Sequence, residues 1–296
     1  MFTFPVSGVE TYWWLPGLVA VIISFFTSMG GLSGAFILMP FQVSILGFSS
    51  PAVSPTNLVY NIVAIPGGVY RFVREKRMIW PLVFIITAGT IPGLIFGAYL
   101  RVKFLTNPEN FKLFVGLVLL YIVIKLAKDI ISNSKKIQGN GKFNVNLLHF
   151  NLKEIKFDFK GISYRISNVL VFLLVLVVGV IGGAYGIGGG AIIAPFLVAV
   201  FGLPVYSITG TALLSTFVSS VFGVAIYSYL LPMFAPDLPA IKPDWLLGFS
   251  LGIGGFIGIY LGARFQRYFP PKFIKVVLLV SISIVVIKYV GGYFFS

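Results

Sequence analysis

Cysteine is absent from this chain of 296 residues, histidine occurs once, as His149, and Asp and Glu together number eight. Without cysteine there is no disulfide framework and no thiolate for a zinc or iron-sulfur centre, and one imidazole does not make a ligand set. The scarcity of acids excludes more. Within the apolar segments no Asp, Glu or His is well placed, so the proton relays of coupled carriers, the paired groups of intramembrane hydrolases and carboxylate metal sites all lack their residues. Charge of any sign is thin, at 10% of residues, whereas 58% are hydrophobic and mean hydropathy is +0.99. Water-soluble domains of this length are not composed in that way. Apolar runs suited to a hydrocarbon core of roughly 30 Å recur without the alternation of barrel strands, which gives a helical integral membrane protein. No Lys or Arg precedes the first apolar segment, so that segment reads as a retained helix rather than a secretory signal.

What is there is a pattern that occurs twice. Apolar segments fall at about 13–29, 35–48, 52–71, 79–100 and 112–131, then at 168–185, 190–203, 207–231, 245–263 and 274–291. Sliding the second set back by 155 positions pairs Gly31 with Gly186, Gly34 with Gly189, Pro40 with Pro195, Gly47 with Gly202 and Thr56 with Thr211. After an insertion in the second half, Trp80 pairs with Trp245, Gly93 with Gly258 and Gly97 with Gly262.

The net charge of +14 resides mainly between the apolar segments, where loops facing the cytoplasm collect Lys and Arg, so it reports topology and does not call for nucleic acid. "RFVREKR" (71–77) is basic, whereas its counterpart carries Asp237, Lys242 and Asp244. The next loop reverses the bias: Arg101, Lys103, Glu109 and Lys112 face Arg264, Arg267, Lys272 and Lys275. Equivalent loops on opposite sides of a membrane are what five-helix inverted repeats produce. The expected fold is an all-α integral membrane protein of about ten transmembrane helices in two inverted five-helix repeats, 1–131 and 167–296, with both termini extracytoplasmic. A four-span repeat with re-entrant second segments would put "RFVREKR" outside and is disfavoured, although 35–48 and 190–203 are short enough to leave re-entry open. Residues 132–166 are polar and basic, with alternation in "KEIKFDF" and a turn at Lys160-Gly161, and read as a cytoplasmic linker containing a small β-hairpin or meander.

Two glycine clusters, "MGGLSG" (29–34) and "YGIGGG" (185–190), stand at matching places between apolar helices. Neither has the strand and acid of a dinucleotide fingerprint or the Lys-Ser/Thr of a Walker loop. Glycine here either lets helices pack closely or lets the backbone leave helical geometry, exposing amides at the start of the next helix as an anion site without a basic side chain. The repeat of the pattern favours the second reading and makes Gly31, Ser33, Gly34, Gly186, Gly188, Gly189 and Gly190 candidate binding residues. The helices that follow carry Thr56, Asn57 and Asn61, and Thr211, Ser215 and Thr216, which either bond to neighbouring helices or line a polar path. No catalytic residue, metal or cofactor is expected.

"GAYGIGGGAIIAPFLVAVFGLPVYSITGTALLST" and its weaker copy "SMGGLSGAFILMPFQVSILGFSSPAVSPTNLVYN" resemble the TauE/SafE family of sulfite exporters, also called the TSUP family. The likeness covers nearly all the chain apart from 132–166. The first half departs from the pattern at Ser33 and Ala35, where the second has Gly188 and Gly190. The resemblance implies a plasma-membrane transporter of small sulfur-containing anions such as sulfite, thiosulfate or organosulfonates. Two other classes stay open: a passive anion channel, and a receptor or scaffold acting through 132–166. Besides lipid and the anion, a second copy of the chain is a conceivable partner, since Gly291 and Gly292 suit packing within or between subunits.

Overall fold

The computed structural model describes residues 1–48, 50–131, 144–234 and 241–295. A two-residue pairing of β1 (Phe2–Thr3) with β2 (Glu10–Thr11) leads into α1 (Leu15–Met29), α2 (Ala35–Ser44), α3 (Val53–Arg74), α4 (Trp80–Lys103) and α5 (Pro108–Ile131). The second set is α6 (Asn168–Tyr185), α7 (Gly190–Phe201), α8 (Val205–Ala225), α9 (Leu231–Phe234), α10 (Trp245–Phe265), α11 (Pro271–Val286) and α12 (Gly292–Phe295). One π turn (Ile226–Leu230) joins α8 to α9 and another (Ile287–Gly291) joins α11 to α12. Between the two sets, β3 (Val145–Phe150), β4 (Glu154–Phe159) and β5 (Ile162–Ser167) form an antiparallel meander in the order β3-β4-β5. Residues 132–143 of the expected linker lie outside the described residues.

Local chemistry sets the helix ends. Proline in the first turn of α1, α4 and α11 costs no hydrogen bond, because those amides have no intrahelical acceptor. Gly186 and Gly202, at φ +76° and +65°, close α6 and α7 in the left-handed conformation that a β-carbon disfavours. Asp244 caps α10 by accepting the Leu247 amide at 3.0 Å.

Five helical stretches are long and apolar enough to cross a membrane: Trp80–Lys103, Pro108–Lys128, Asn168–Tyr185, Val205–Met233 and Trp245–Phe265. About ten spans were expected. Helices α2 and α7, of 10 and 12 residues, fall short of the roughly 20 that a hydrocarbon core demands. Helix α3 has 22 residues, but Asn57, Asn61, Arg71 and Arg74 dilute its hydropathy.

The two sets exchange partners. Helix α4 lies along α6, and α10 along α1, each by a glycine seam of four-residue spacing. A β-carbon on Gly89 would meet Phe172, on Gly93 Leu176 and Val180, and on Gly97 Val180 and Ala184; these pairings advance together, so α4 and α6 run parallel. Gly254, Gly258 and Gly262 meet Gly17, Val21 and Phe25 in the same way, so α10 runs parallel to α1. Between the seams α3 and α8 cross antiparallel: Gly210 abuts Phe72, the Asn61 amide reaches Ser220 at 3.1 Å, and Gly223 abuts Leu58.

Hydrogen bonds at the two ends match as well. Thr56 Oγ1 accepts the Asp244 amide at 2.8 Å, before α10, and Thr211 Oγ1 accepts the Ile79 amide at 2.9 Å, before α4. The Asp244 end also holds the N-terminal segment, whose Ser7 amide and hydroxyl donate to the Asp244 carboxylate at 2.8 and 2.7 Å. The opposite end carries Arg77 and the meander, joined where the Val145 amide donates to Lys76 O at 2.9 Å.

Three charges counted as loop charges are therefore structural. Asp244 is buried as a cap, and Arg77, 2% exposed, is enclosed by Glu75, Tyr206 O and Gln266. Arg101, assigned by sequence to the loop after the fourth helix, is wholly buried in the last turn of α4.

Candidate functional site

Each glycine cluster is a real break between two helices. In the first, the Gly30, Gly31 and Leu32 amides fold back onto Thr27 O and Ser28 O at 3.0 to 3.1 Å, and Gly31 has φ +77°. In the second, the Gly186 and Ile187 amides both donate to Gly182 O, at 2.9 and 3.1 Å, with Gly186 at φ +76° and Gly188 at +74°. Helices α2 and α7 then restart at Gly34 and Gly189.

Two asparagines of α3 tie the turns together. Asn57 Nδ2 donates to Ala35 O and to Gly186 O, both at 3.0 Å, while its Oδ1 accepts from Gln42 Nε2 at 3.1 Å. One turn of helix later, Asn61 Nδ2 donates to Ile187 O at 2.9 Å and to Ser220 Oγ at 3.1 Å, and its Oδ1 accepts a short hydrogen bond from the Ser33 hydroxyl. Ser33 Oγ in turn accepts the Ala35 amide at 3.2 Å. Each amide thus spans from the first glycine turn to the second, and all these side chains are buried. The α3 asparagines are linkers whose own polar atoms are consumed.

What the linkers leave unmet is backbone. The amides of Ser33, Gly188 and Gly189 donate to no acceptor among the described residues, and all three residues are buried. Each such amide costs about 1–3 kcal/mol when nothing receives it. Around them stand small hydroxyl side chains: a β-carbon on Gly188 would lie 3.0 and 3.1 Å from Ser220 and Ser219 Oγ, and one on Gly190 would run into Thr216. Close packing and exposed amides are therefore both true of these glycines. Gly31 abuts Thr209 and Ala194, Gly34 abuts Tyr60 and Ser24, and Gly189 abuts Thr90.

The candidates from sequence divide accordingly. Gly31, Ser33, Gly34, Asn57, Asn61, Gly186, Gly188, Gly189, Gly190 and Thr216 converge where the two turns meet. Thr56 and Thr211 point to the starts of α10 and α4 instead, and Ser215 returns its hydroxyl to Thr211 O at 3.0 Å. Sequence reasoning passed over Ser219, Ser220 and Gln42. The serines follow Ser215 and Thr216 on α8, four residues on in each case, and that spacing could have found them.

At the Asp244 end, beside the second turn, lies the wholly buried Arg101. Its Nε donates to Ser54 Oγ at 3.2 Å and its guanidinium lies over the Phe111 ring, 3.6 Å from the centroid. Among the described residues its Nη1 and Nη2 have no hydrogen-bond partner and no ion pair includes it. Among the described residues there is no cluster of His, Asp or Glu able to hold a metal. A cavity of about 230 Å³ lies at the opposite end, between Val73, Trp80 and Leu147, while residues 31–34 and 186–190 of the turns are buried.

Five helical stretches of membrane-spanning length thus accompany a buried group of unmet donors. Residues 17–289 match the family model described as sulfite exporter TauE/SafE, and the chain belongs to that family. No curated protein and no solved structure matches it.

Proposed function

We propose that this protein moves small sulfur-containing oxyanions, with sulfite, thiosulfate and organosulfonates as the substrate class, and that the anion is held between the two glycine turns. The observation that carries the reading is the set of buried Ser33, Gly188 and Gly189 amides without acceptors at the meeting place of α2 and α7. An oxyanion accepts several such donors at once and is favoured by the positive ends of both helices. Hydroxyls of Ser219, Ser220 and Thr216 supply further donors on rotation.

The two sets of helices act as inverted repeats in this reading. The antiparallel crossing of α3 and α8 and the matched bonds of Thr56 and Thr211 support it. Rocking of one half against the other opens the buried turns to one end and then the other. The "RFVREKR" end and the meander face the cytoplasm, since that end gathers Arg and Lys. Export then runs toward the Asp244 end, down the electrical gradient of a cell that is negative inside.

The test is flux of sulfite, thiosulfate and chloride in proteoliposomes with defined membrane potential, paired with thermal stability in detergent. Saturable sulfite flux with sulfite-dependent stabilisation is expected. Linear, non-saturating flux would replace the carrier with a channel. No flux, with cellular function abolished by removal of 132–166, would replace it with a receptor or scaffold.

A further inference from the structure

Arg101 and Gln266 occupy matching places in the two sets of helices, as do Ser54 and Thr209. The two pairs behave differently. Gln266 Nε2 donates to Met29 O at 2.6 Å and to Thr209 Oγ1 at 3.3 Å, and its Oε1 accepts from Arg77 Nη2 at 2.7 Å. Arg77 has Glu75 as a counterion at 3.0 Å. The guanidinium at that end is therefore partnered and has a counterion.

Among the described residues Arg101 makes one hydrogen bond, the corresponding one to Ser54, and its two terminal nitrogens end in the interior without an acceptor. Phe111 covers one face of the guanidinium, but a ring on the face leaves the in-plane N–H groups unmet. A buried cation in that position carries a desolvation cost that a negative partner would offset. Ser54 Oγ accepts from Nε, and its hydroxyl also stands in hydrogen-bond reach of the Tyr227 phenol beside the fork. The site abuts the second glycine turn directly, since a β-carbon on Gly186 would fall 2.5 Å from Ser54 Cα.

We infer that Arg101 and Ser54 form a second oxyanion site at the Asp244 end, separate from the turn amides, in which the planar guanidinium receives two oxygens of one anion side by side. The site itself stands on the unmet guanidinium. Its place as the station after the glycine turns rests on the transport reading above. In that place it draws the anion off the turns toward one end, and the partnered Arg77–Gln266 arrangement offers no equal pull at the other.

The test is sodium sulfite titrated by calorimetry into the full-length protein in detergent, with wild type and Arg101→Gln compared; the substitution copies the residue at the matching place. Two binding events in wild type and one in Arg101→Gln are expected, the lost event being weakened roughly ten- to a hundredfold. Without sulfite the variant is expected to melt no lower than wild type, because it removes an uncompensated charge. A single event in wild type that Arg101→Gln abolishes would keep this site and discard binding at the turns. Unchanged stoichiometry and affinity would overturn the site. Should Arg101→Gln not fold, Arg101→Lys keeps the charge and loses the fork; about tenfold weaker sulfite binding is expected, and unchanged binding overturns the proposal.

Discussion

Helices α3 and α8 stand at matching places in the two halves, yet they use their polar residues in opposite ways. Asn57 and Asn61 of α3 reach out of their own helix and hold both glycine turns. Thr216 and Ser219 of α8 turn back, donating to Ala212 O and Thr216 O at 2.8 and 3.0 Å. An amide has two donors and an acceptor on a longer stem, so it can bridge three groups. A hydroxyl has one donor, and that donor can leave a carbonyl already bonded within the helix at little cost. The first half therefore supplies a rigid tie and the second an adaptable face. Matching helices thus differ in role through the residues at two positions, Asn57 against Ala212 and Asn61 against Thr216.

Breaking the tie should have the largest effect. Asn61→Leu leaves Ser33, Ser220 and the Ile187 carbonyl without their partner and is expected to cost about 3–5 kcal/mol and abolish sulfite flux, whereas Thr216→Val at the matching place costs about 1 kcal/mol. Thermal unfolding of both variants in detergent checks this, and equal losses would dissolve the distinction. The glycine seams probe where the halves are alike. Gly93→Leu and Gly258→Leu each force a side chain onto backbone that a β-carbon would already approach within 3.0 Å, so both should lose about 3 kcal/mol by the same assay.

Smaller still is Asp244→Ala. It frees the Ser7 and Leu247 amides and should cost about 2 kcal/mol, with faster hydrogen exchange confined to residues 1–11 and the first turn of α10. Thr56→Val and Thr211→Val remove matched bonds to helix starts, and each should lose about 1 kcal/mol. A difference well beyond that between them would argue against equivalent ends.

The least effect falls on the meander, which has no counterpart to compare. Glu154 is held below the usual carboxylate range by its hydrogen bond from Lys156 and then by Arg165. A carboxylate lowered on folding contributes stability above its unfolded pKa and loses it as pH falls through the folded value. Amide exchange in β4 and β5 should therefore quicken slightly on acidification, and Glu154→Gln should remove that pH dependence.

Much of this was legible in the sequence. The glycine breaks, the helices around them and the importance of Asn57 and Asn61 follow from spacing, because glycine and amides are rare and costly inside apolar helices. Arg101 was not legible. A basic residue at the end of an apolar run ordinarily snorkels to an interface, and only packing of Ser54, Phe111 and Tyr227 around it shows that it turns inward. The roles of Thr56 and Thr211 were hidden for a similar reason: their partners, Asp244 and Ile79, are distant in sequence and approach only when α10 and α4 are in place.

The exchange of helices between the seams also orders how the chain must be made. Helix α1 packs chiefly along α10, and α4 along α6 and α8, so residues 1–131 leave synthesis with glycine-lined surfaces not yet covered. Nothing in the first half can hydrogen-bond Asn61 as Ile187 and Ser220 do. The first half then completes its packing only once the second has been made.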